Sequence, residues 1–398
     1  MHFLKIPKKI VKIIIKSISR CFPLQNIILL ESNPDYADNT YPVYLELCRR
    51  REFDKYRLIW VTYGNPVLIP AEAASMDNVH RRDGQIPGNS WRFRWYQMRA
   101  KVQVSCNRYF KKQDPRQISL FLNHGTPAKR LGGIYEPGPS VGFLSSQTKL
   151  VDQIICYEDN ASPSQLVHLG YPRCDYFYTT NSTLIRKILN LEDSSLFFIW
   201  LPTFRKHWAG REDVCNSSFD RFGMPLIHSE AQLEDLNIFL QEQNSHIFLK
   251  PHPAQDVSGL VSKSLSHIHV INDRYLAEIN LQLYQMIAAS AALITDYSSV
   301  FFDYLLLDRP IVTTTDDIEE WKEGRGFISN METMLEKATV RAYDLDSLKE
   351  FIISVLRGQD RKKAGRKEIR DLVNLFQDGK SCQRTADFLL DQLKVSSN

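Results

Sequence analysis

The sequence predicts an α/β protein of two consecutive doubly wound domains that face each other across a cleft. Three observations carry that reading: the length of 398 residues, strand-like apolar runs alternating with helical stretches, and a restart of the pattern near residue 196. A chain this long exceeds one ordinary core and suits two domains of about 200 residues each. Composition is that of a globular protein, 43% hydrophobic and 24% charged, without low-complexity tracts or internal repeats.

The first element, residues 1–25, is basic. Lys5, Lys8, Lys9, Lys12, Lys16 and Arg20 occur there without an acid, so the remainder of a chain with formal charge +4 is net acidic. Its apolar run from Ile10 to Ile18 is broken by Lys12 and Lys16, and no small-residue cleavage site follows, which argues against a signal peptide. Ile6, Ile10, Ile13, Ile14 and Ile18 share one helical face with lysines opposite. The segment reads as an interfacial helix whose six cations meet an anionic membrane surface; the plain alternative is a basic helix packed on the domain. No run of 18 apolar residues exists, so no spanning helix is expected.

Residues 26–185 form the predicted first domain. Asn26–Glu31 (NIILLE), Tyr56–Thr62, Lys101–Ser105, Ile118–Leu122 and Gln153–Tyr157 (QIICY) read as its strands, and Tyr176–Asp193 as a turn-rich linker with a short helix. The second domain is 186–398, with strands at Leu196–Leu201, His246–Leu249, Ile268–Ile271, Ala292–Thr295 and Pro310–Thr313. Helices are expected at Gln232–Gln243, Asn280–Ala289, Val300–Leu307 and through the last fifty residues. Strands alternating with helices imply parallel sheets, which bind ligands in the crevice beyond the carboxyl ends of their strands. Seven scattered cysteines, never spaced as CxxC, argue against a disulfide framework or structural zinc and for a reducing compartment.

The chemistry-bearing residues sit at those strand ends. His124 follows Ile118–Leu122 and precedes Gly125; imidazole titrates where proton removal near neutrality is possible, although a lone loop His is often structural. Arg205, in Pro202-Thr-Phe-Arg205, can grip a phosphate bidentately or form a surface salt bridge. Lys250-Pro-His252-Pro projects a cation and an imidazole from a stiff turn, which suits a diphosphate. Asp296-Tyr-Ser298-Ser299 joins a strand to a helix start, a place for phosphate binding, for simple capping, or for both. Glu320, one turn past the strand Pro310–Thr313, is placed to hold ribose hydroxyls or to be an ordinary acidic helix start.

Together these residues carry a resemblance. His124-Gly-Thr-Pro, Gly170-Tyr-Pro-Arg173, Pro202-Thr-x-Arg205, Lys250-Pro-His252-Pro, Thr295-Asp-Tyr-Ser-Ser299 with Phe302-Asp303, Asp317-x-Glu-Glu320, Arg325-Gly-Phe327 and Asp378-Gly-Lys380 recur in the order of the CDP-glycerol glycerophosphotransferase family, which includes teichoic-acid primases, polymerases and related capsule polymerases. The resemblance runs from about Asn26 to Leu390. It implies a GT-B-type fold of two Rossmann-like domains, the second holding the donor nucleotide. It implies His124 as general base, His252 as the second active-site His beside the donor diphosphate, Ser298 and Ser299 as phosphate binders, and Glu320 as the ribose-binding acid. Asp296 is grouped with Glu320 at the nucleotide, and Arg205 and Lys250 join the phosphate site on charge logic. Asn123 stands where many members have Trp, and Cys174 where Asn is frequent. The chain carries no long N-terminal extension such as some polymerases have, and so resembles the compact primase or capsule type.

The implied reaction is attack by an acceptor hydroxyl on the polyol-bearing phosphorus of a CDP-polyol, glycerol first among them, with release of CMP. Fixed cations and dipoles would stabilise the phosphates, so no obligate cofactor or metal is expected. The expected partners are that donor, a lipid-linked or polymeric acceptor and an anionic membrane, with the protein peripheral on its cytoplasmic face. A second basic stretch, twelve Lys and Arg between His80 and Arg130 against Asp83 and Asp114, lacks any nucleic-acid-binding motif. Two other readings fit the same fold: a GT-B glycosyltransferase using a nucleotide sugar, and a non-catalytic membrane-docked scaffold.

Overall fold

The computed structural model describes residues 22–64, 69–75, 84–130, 137–203, 224–252, 265–324 and 326–396. Strands β1 (Gln25–Glu31), β2 (Arg57–Thr62), β3 (Gly84–Pro87), β4 (Ala100–Ser105), β5 (Ile118–Phe121), β6 (Phe143–Ser146) and β7 (Leu166–His168) form one sheet, ordered β3-β2-β1-β4-β5-β6-β7. Strands β8 (Leu196–Leu201), β9 (Ser245–Leu249), β10 (Ile268–Val270), β11 (Ala292–Thr295), β12 (Ile311–Thr314) and β13 (Val340–Ala342) form the second, ordered β10-β9-β8-β11-β12-β13. Every pairing is parallel. The predicted pair of doubly wound sheets is therefore present. Central strands such as β1 and β8 are apolar without alternation because helices cover both faces of a parallel sheet.

One strand assignment is wrong. QIICY lies inside a helix, Lys149–Glu158, that buries Val151, Ile154, Ile155 and Glu158. That spacing is one helical face, and Thr148 caps the start by accepting from the Val151 N–H at 3.3 Å. A five-residue apolar run is too short for its period to separate strand from helix. Short strands β3, β6, β7 and β13 escaped the sequence reading for the same reason.

The domain division also differs from the simple one. The helix Ser381–Val395 returns to the first domain, where Ala386, Leu389 and Leu393 join the apolar cluster containing Ile28, Leu30 and Leu58. Asp175 fixes its start by accepting from the N–H groups of Ser381 and Cys382 at 2.9 and 2.8 Å. Residues 186–398 are thus not one self-contained unit. The largest apolar cluster spans both halves, taking Phe121 and Leu144 from the first and Phe197, Leu293 and Phe301 from the second. Beside it Lys129 and Phe327 form an isolated bridge, and Arg130 Nε donates to the Phe327 carbonyl at 3.1 Å. Lys5, Lys8, Lys9, Lys12, Lys16 and Arg20 lie outside the described residues. Among the described residues no helix is long and apolar enough to cross a membrane.

Candidate active site

A cavity of about 700 Å³ opens where the carboxyl ends of the two sheets face each other, as parallel sheets lead one to expect. The loop after β1 brings Asp38, the turn after β4 brings Asn107, and the turn after β5 brings His124. The second sheet contributes Lys250 and His252 after β9 and Ser298 and Ser299 after β11. Strands β1 and β4 are neighbours at the point where the strand order reverses, so the first-domain groups converge on a topological switch point.

Unusual backbone shapes the turn that carries His124. Asn123 has φ 60°, in the left-handed region that Asn tolerates better than larger residues. Its side chain donates to the Ser145 carbonyl at 2.5 Å, and its own carbonyl accepts from Asn39 Nδ2 at 2.8 Å. The second bond uses the backbone carbonyl, so the side-chain amide contributes only the first. Gly125 has φ 113°, and a Cβ there would lie 2.7 Å from Arg173 Nη2 and 3.0 Å from Ser299 Oγ. Glycine is what lets the His124 turn approach the serine turn of the other domain.

The His124 side chain is 59% exposed, with Nδ1 turned inward. Nδ1 contacts Asp38 Oδ2 and lies 3.2 Å from Asn107 Nδ2. Asp38 is buried. Its other oxygen accepts from Arg173 Nη1 at 2.7 Å, and Arg173 donates through Nη2 and Nε to Asp303 Oδ2 at 2.6 and 3.1 Å. Tyr284 OH also donates to Asp303. Burial by itself would raise the Asp38 carboxyl, but the Arg173 guanidinium and the His124 ring outweigh it and hold it below the ordinary carboxylate range. Glu31, at the end of β1, shows the opposite balance. Burial pushes it up to about 7 although the Asn107 and Arg108 N–H groups donate to it at 3.3 Å.

In the second domain, Lys250 N–H donates to the Trp200 carbonyl at 3.0 Å, so its position is set by the sheet. Its ammonium pairs with Asp273 at 2.9 Å. His252 is exposed at the cavity, and Ser299 makes no side-chain cap bond at the start of the short helix Val300–Tyr304. Of the residues expected from sequence, His124, His252, Lys250, Ser298 and Ser299 line one cavity. Asp296 requires a correction. It is fully buried, and its oxygens accept from Thr203 N–H at 3.0 and 2.8 Å and from Thr203 Oγ1 at 2.9 Å. That carboxylate braces the end of β8 against the end of β11 and has no exposed edge for a ribose. Glu320 is exposed on the helix Ile318–Glu323, outside the cavity lining. Arg205 lies outside the described residues. Asp38 and Asn107 were missed because an acid or amide in an irregular loop carries no periodic signal, and Asp273 because an acid in the first turn of a helix reads as an ordinary helix start. Arg173 and Asp303 stood in recognised motifs but had no role assigned. Among the described residues no group of three His, Cys, Asp or Glu has the geometry to hold a metal ion.

With this geometry in place, comparison with known proteins is decisive. Residues 14–391 match the family described as CDP-glycerol:poly(glycerophosphate) glycerophosphotransferase. The chain belongs to this family. As a glycerophosphotransferase relative it is 25% identical over 289 residues to the teichoic acid glycerol-phosphate primase of Bacillus subtilis strain 168, a match covering 72% of this chain and 67% of the primase. It is 29% identical over 238 residues to the teichoic acid ribitol-phosphate primase of Bacillus spizizenii, covering 56% of this chain and 53% of that protein. Among solved structures, the wall teichoic acid polymerase TagF soaked with CDPG superposes with a TM-score of 0.72 at 21% identity, covering 98% of this chain and 96% of that one. That likeness establishes the GT-B-type fold. The glycerophosphotransferase is thus an enzyme of the polyol-phosphate transferring class, related to proteins of teichoic acid synthesis.

Proposed function

We propose that this glycerophosphotransferase moves glycerol phosphate from CDP-glycerol to a hydroxyl of a lipid-linked or polymeric cell-envelope acceptor and releases CMP. The observation that carries the reading is the cavity shared by His124, backed by Asp38, and the groups Lys250, His252, Ser298 and Ser299. His124 takes the proton of the acceptor hydroxyl as its oxygen attacks the glycerol-bearing phosphorus. Lys250, fixed by the sheet and by Asp273, neutralises phosphate charge together with His252 and the two serines, and CMP departs on its own phosphate. Glu320 and Arg205 are assigned by the family resemblance and by charge logic, to the ribose and the phosphates respectively. The relatives include a ribitol-phosphate primase, so CDP-ribitol is the alternative donor. Incubating the protein with a glycerol-phosphate-primed acceptor and CDP-glycerol, CDP-ribitol or UDP-sugars tests this. CMP from CDP-glycerol supports it; UDP release with no CMP would replace it with a glycosyltransferase.

The reading includes a peripheral site of action on an anionic membrane. The helix Trp91–Arg99 leaves Trp91 76% exposed with Arg92, Arg94 and Trp95 beside it. Arg99 lies over the rings of Phe22 and Trp95, at 5.4 and 5.2 Å. Phe22 is the first described residue and follows Arg20, the last of the six N-terminal cations, by two positions in the chain. Each cation near anionic lipid contributes about 1 kcal/mol, and Trp favours the interface. Binding to anionic vesicles should fall with salt and drop sharply on deletion of residues 1–20, while activity on a soluble acceptor analogue persists. Equal sedimentation with neutral vesicles would sink the membrane assignment.

A further inference from the structure

Behind His124 the contact with Asp38 continues into a chain of charges withdrawn from water. Side-chain exposure is 7% for Asp38, 5% for Arg173 and 1% for Asp303. Arg173 bridges two carboxylates: Nη1 serves Asp38, and Nη2 with Nε serves Asp303. Two anions against one cation leave one negative charge uncompensated, and the group at its open end is His124 Nδ1. Buried charge of this kind is costly unless it is neutralised.

The chain also joins the two domains. Asp38 and Arg173 come from the first, whereas Asp303 sits one turn into the short helix that begins beside Ser298 and Ser299. Arg173 holds the His124 turn as well, donating through Nη2 to the His124 carbonyl at 3.3 Å.

We propose that Asp38 is the positioning residue of the general base, anchored through Arg173 to Asp303 on the donor-side helix. The inference rests on the assignment of His124 as base. An ionised carboxylate only accepts, so Asp38 draws the proton of the neutral ring to Nδ1 and leaves the Nε2 lone pair for the acceptor hydroxyl. When the hydroxyl proton moves to Nε2, the ring becomes cationic and the Asp38–Arg173–Asp303 charge is balanced. The acceptor oxygen forms its bond to phosphorus, the bond to the CMP oxygen breaks, and the excess proton resides on His124. Asn107 competes for Nδ1 only as a donor, since its Oδ1 accepts from the Asn33 N–H at 2.8 Å. In that arrangement the ring would carry its proton on Nε2 and could not act as base. Asp38 therefore selects the working tautomer.

The test compares Asp38→Asn, His124→Ala and the double variant in the CMP-release assay, with CDP-glycerol affinity measured by calorimetry. Asp38→Asn should lower kcat on the order of 10²-fold with donor affinity retained. The double variant should lose no more than His124→Ala alone, since both act through one ring. Losses that multiply, or a change in KM alone, would overturn the role of Asp38. Full activity of His124→Ala would instead remove the base itself. Should Asp38→Asn fail to fold, Asp38→Ser takes its place; failure of both would make Asp38 a structural ion-pair partner and overturn the proposal.

Discussion

The two halves of the molecule share a sheet topology and differ in how they hold charge at the strand ends. In the first half the His124 imidazole rests on acids and a guanidinium withdrawn from water, in a network reaching from Asp38 to Asp303. In the second half, Lys250 pairs with a partly exposed acid, and His252, Ser298 and Ser299 line the open cavity. A base must meet one proton at one angle, so a rigid, buried backing suits it. A diphosphate spreads charge over several oxygens, and separate donors on short turns can serve it without a network. Proton transfer and phosphate binding therefore call for different kinds of support on the same scaffold.

The sharpest way to break that comparison is at the base. His124→Ala should lower turnover by roughly 10²–10⁴-fold with little change in CDP-glycerol affinity by calorimetry. Equal loss of both would erase the division of labour. Next is the buried network. Arg173→Met leaves Asp38 and Asp303 without their shared cation and should cost about 3–5 kcal/mol in denaturant unfolding. Lys250→Met leaves only the partly exposed Asp273 unpaired and should cost less stability than Arg173→Met while weakening donor binding. A reversed order would mean that the second half is the rigid one.

The two buried carboxylates at the β1 end separate by pH. Asp38 is held low, so its contribution is present at neutrality and is lost as acid protonates it below its ordinary value of 3.8. Glu31 has its folded value raised from 4.5 to about 7, so its contribution is intact below pH 4.5 and is lost as pH rises to 7. Glu31→Gln should match the parent near pH 4.5 and exceed it above pH 7, by up to about 3 kcal/mol, in parallel thermal melts. A constant difference across that range would mean that Glu31 does not titrate there.

The smallest expected effects lie at the donor. Ser298→Ala with Ser299→Ala removes two neutral hydrogen-bonding groups, about 0.5–1.5 kcal/mol each, and should weaken CDP more than CMP. Glu320→Ala should weaken both nucleotides alike if it holds the ribose. Unchanged affinity for both nucleotides would leave the serines as part of the short helix start and nothing more.

Much of this was written in the local sequence. NIILLE and LFFIWL declare buried parallel strands because helices on both sheet faces demand apolar residues on both sides of a strand's central stretch. Strand-end placement of His124, Lys250 and Ser298 follows from the same pattern, and eight ordered motifs fixed the family. What the sequence withheld is whatever depends on a distant partner. QIICY needed the packed face of its helix, and Ser381–Val395 needed Ile28 and Leu30 to show which domain it serves. Asp296 resembled a nucleotide ligand until Thr203, 93 residues away, was found to occupy it. Asp38 reads as loop polarity until Arg173, 135 residues on, turns it into the backing of His124. A short-range pattern records which surface a residue buries. Which charge it meets is decided by chain segments that only folding brings together, and in the low-dielectric interior that meeting sets its chemistry.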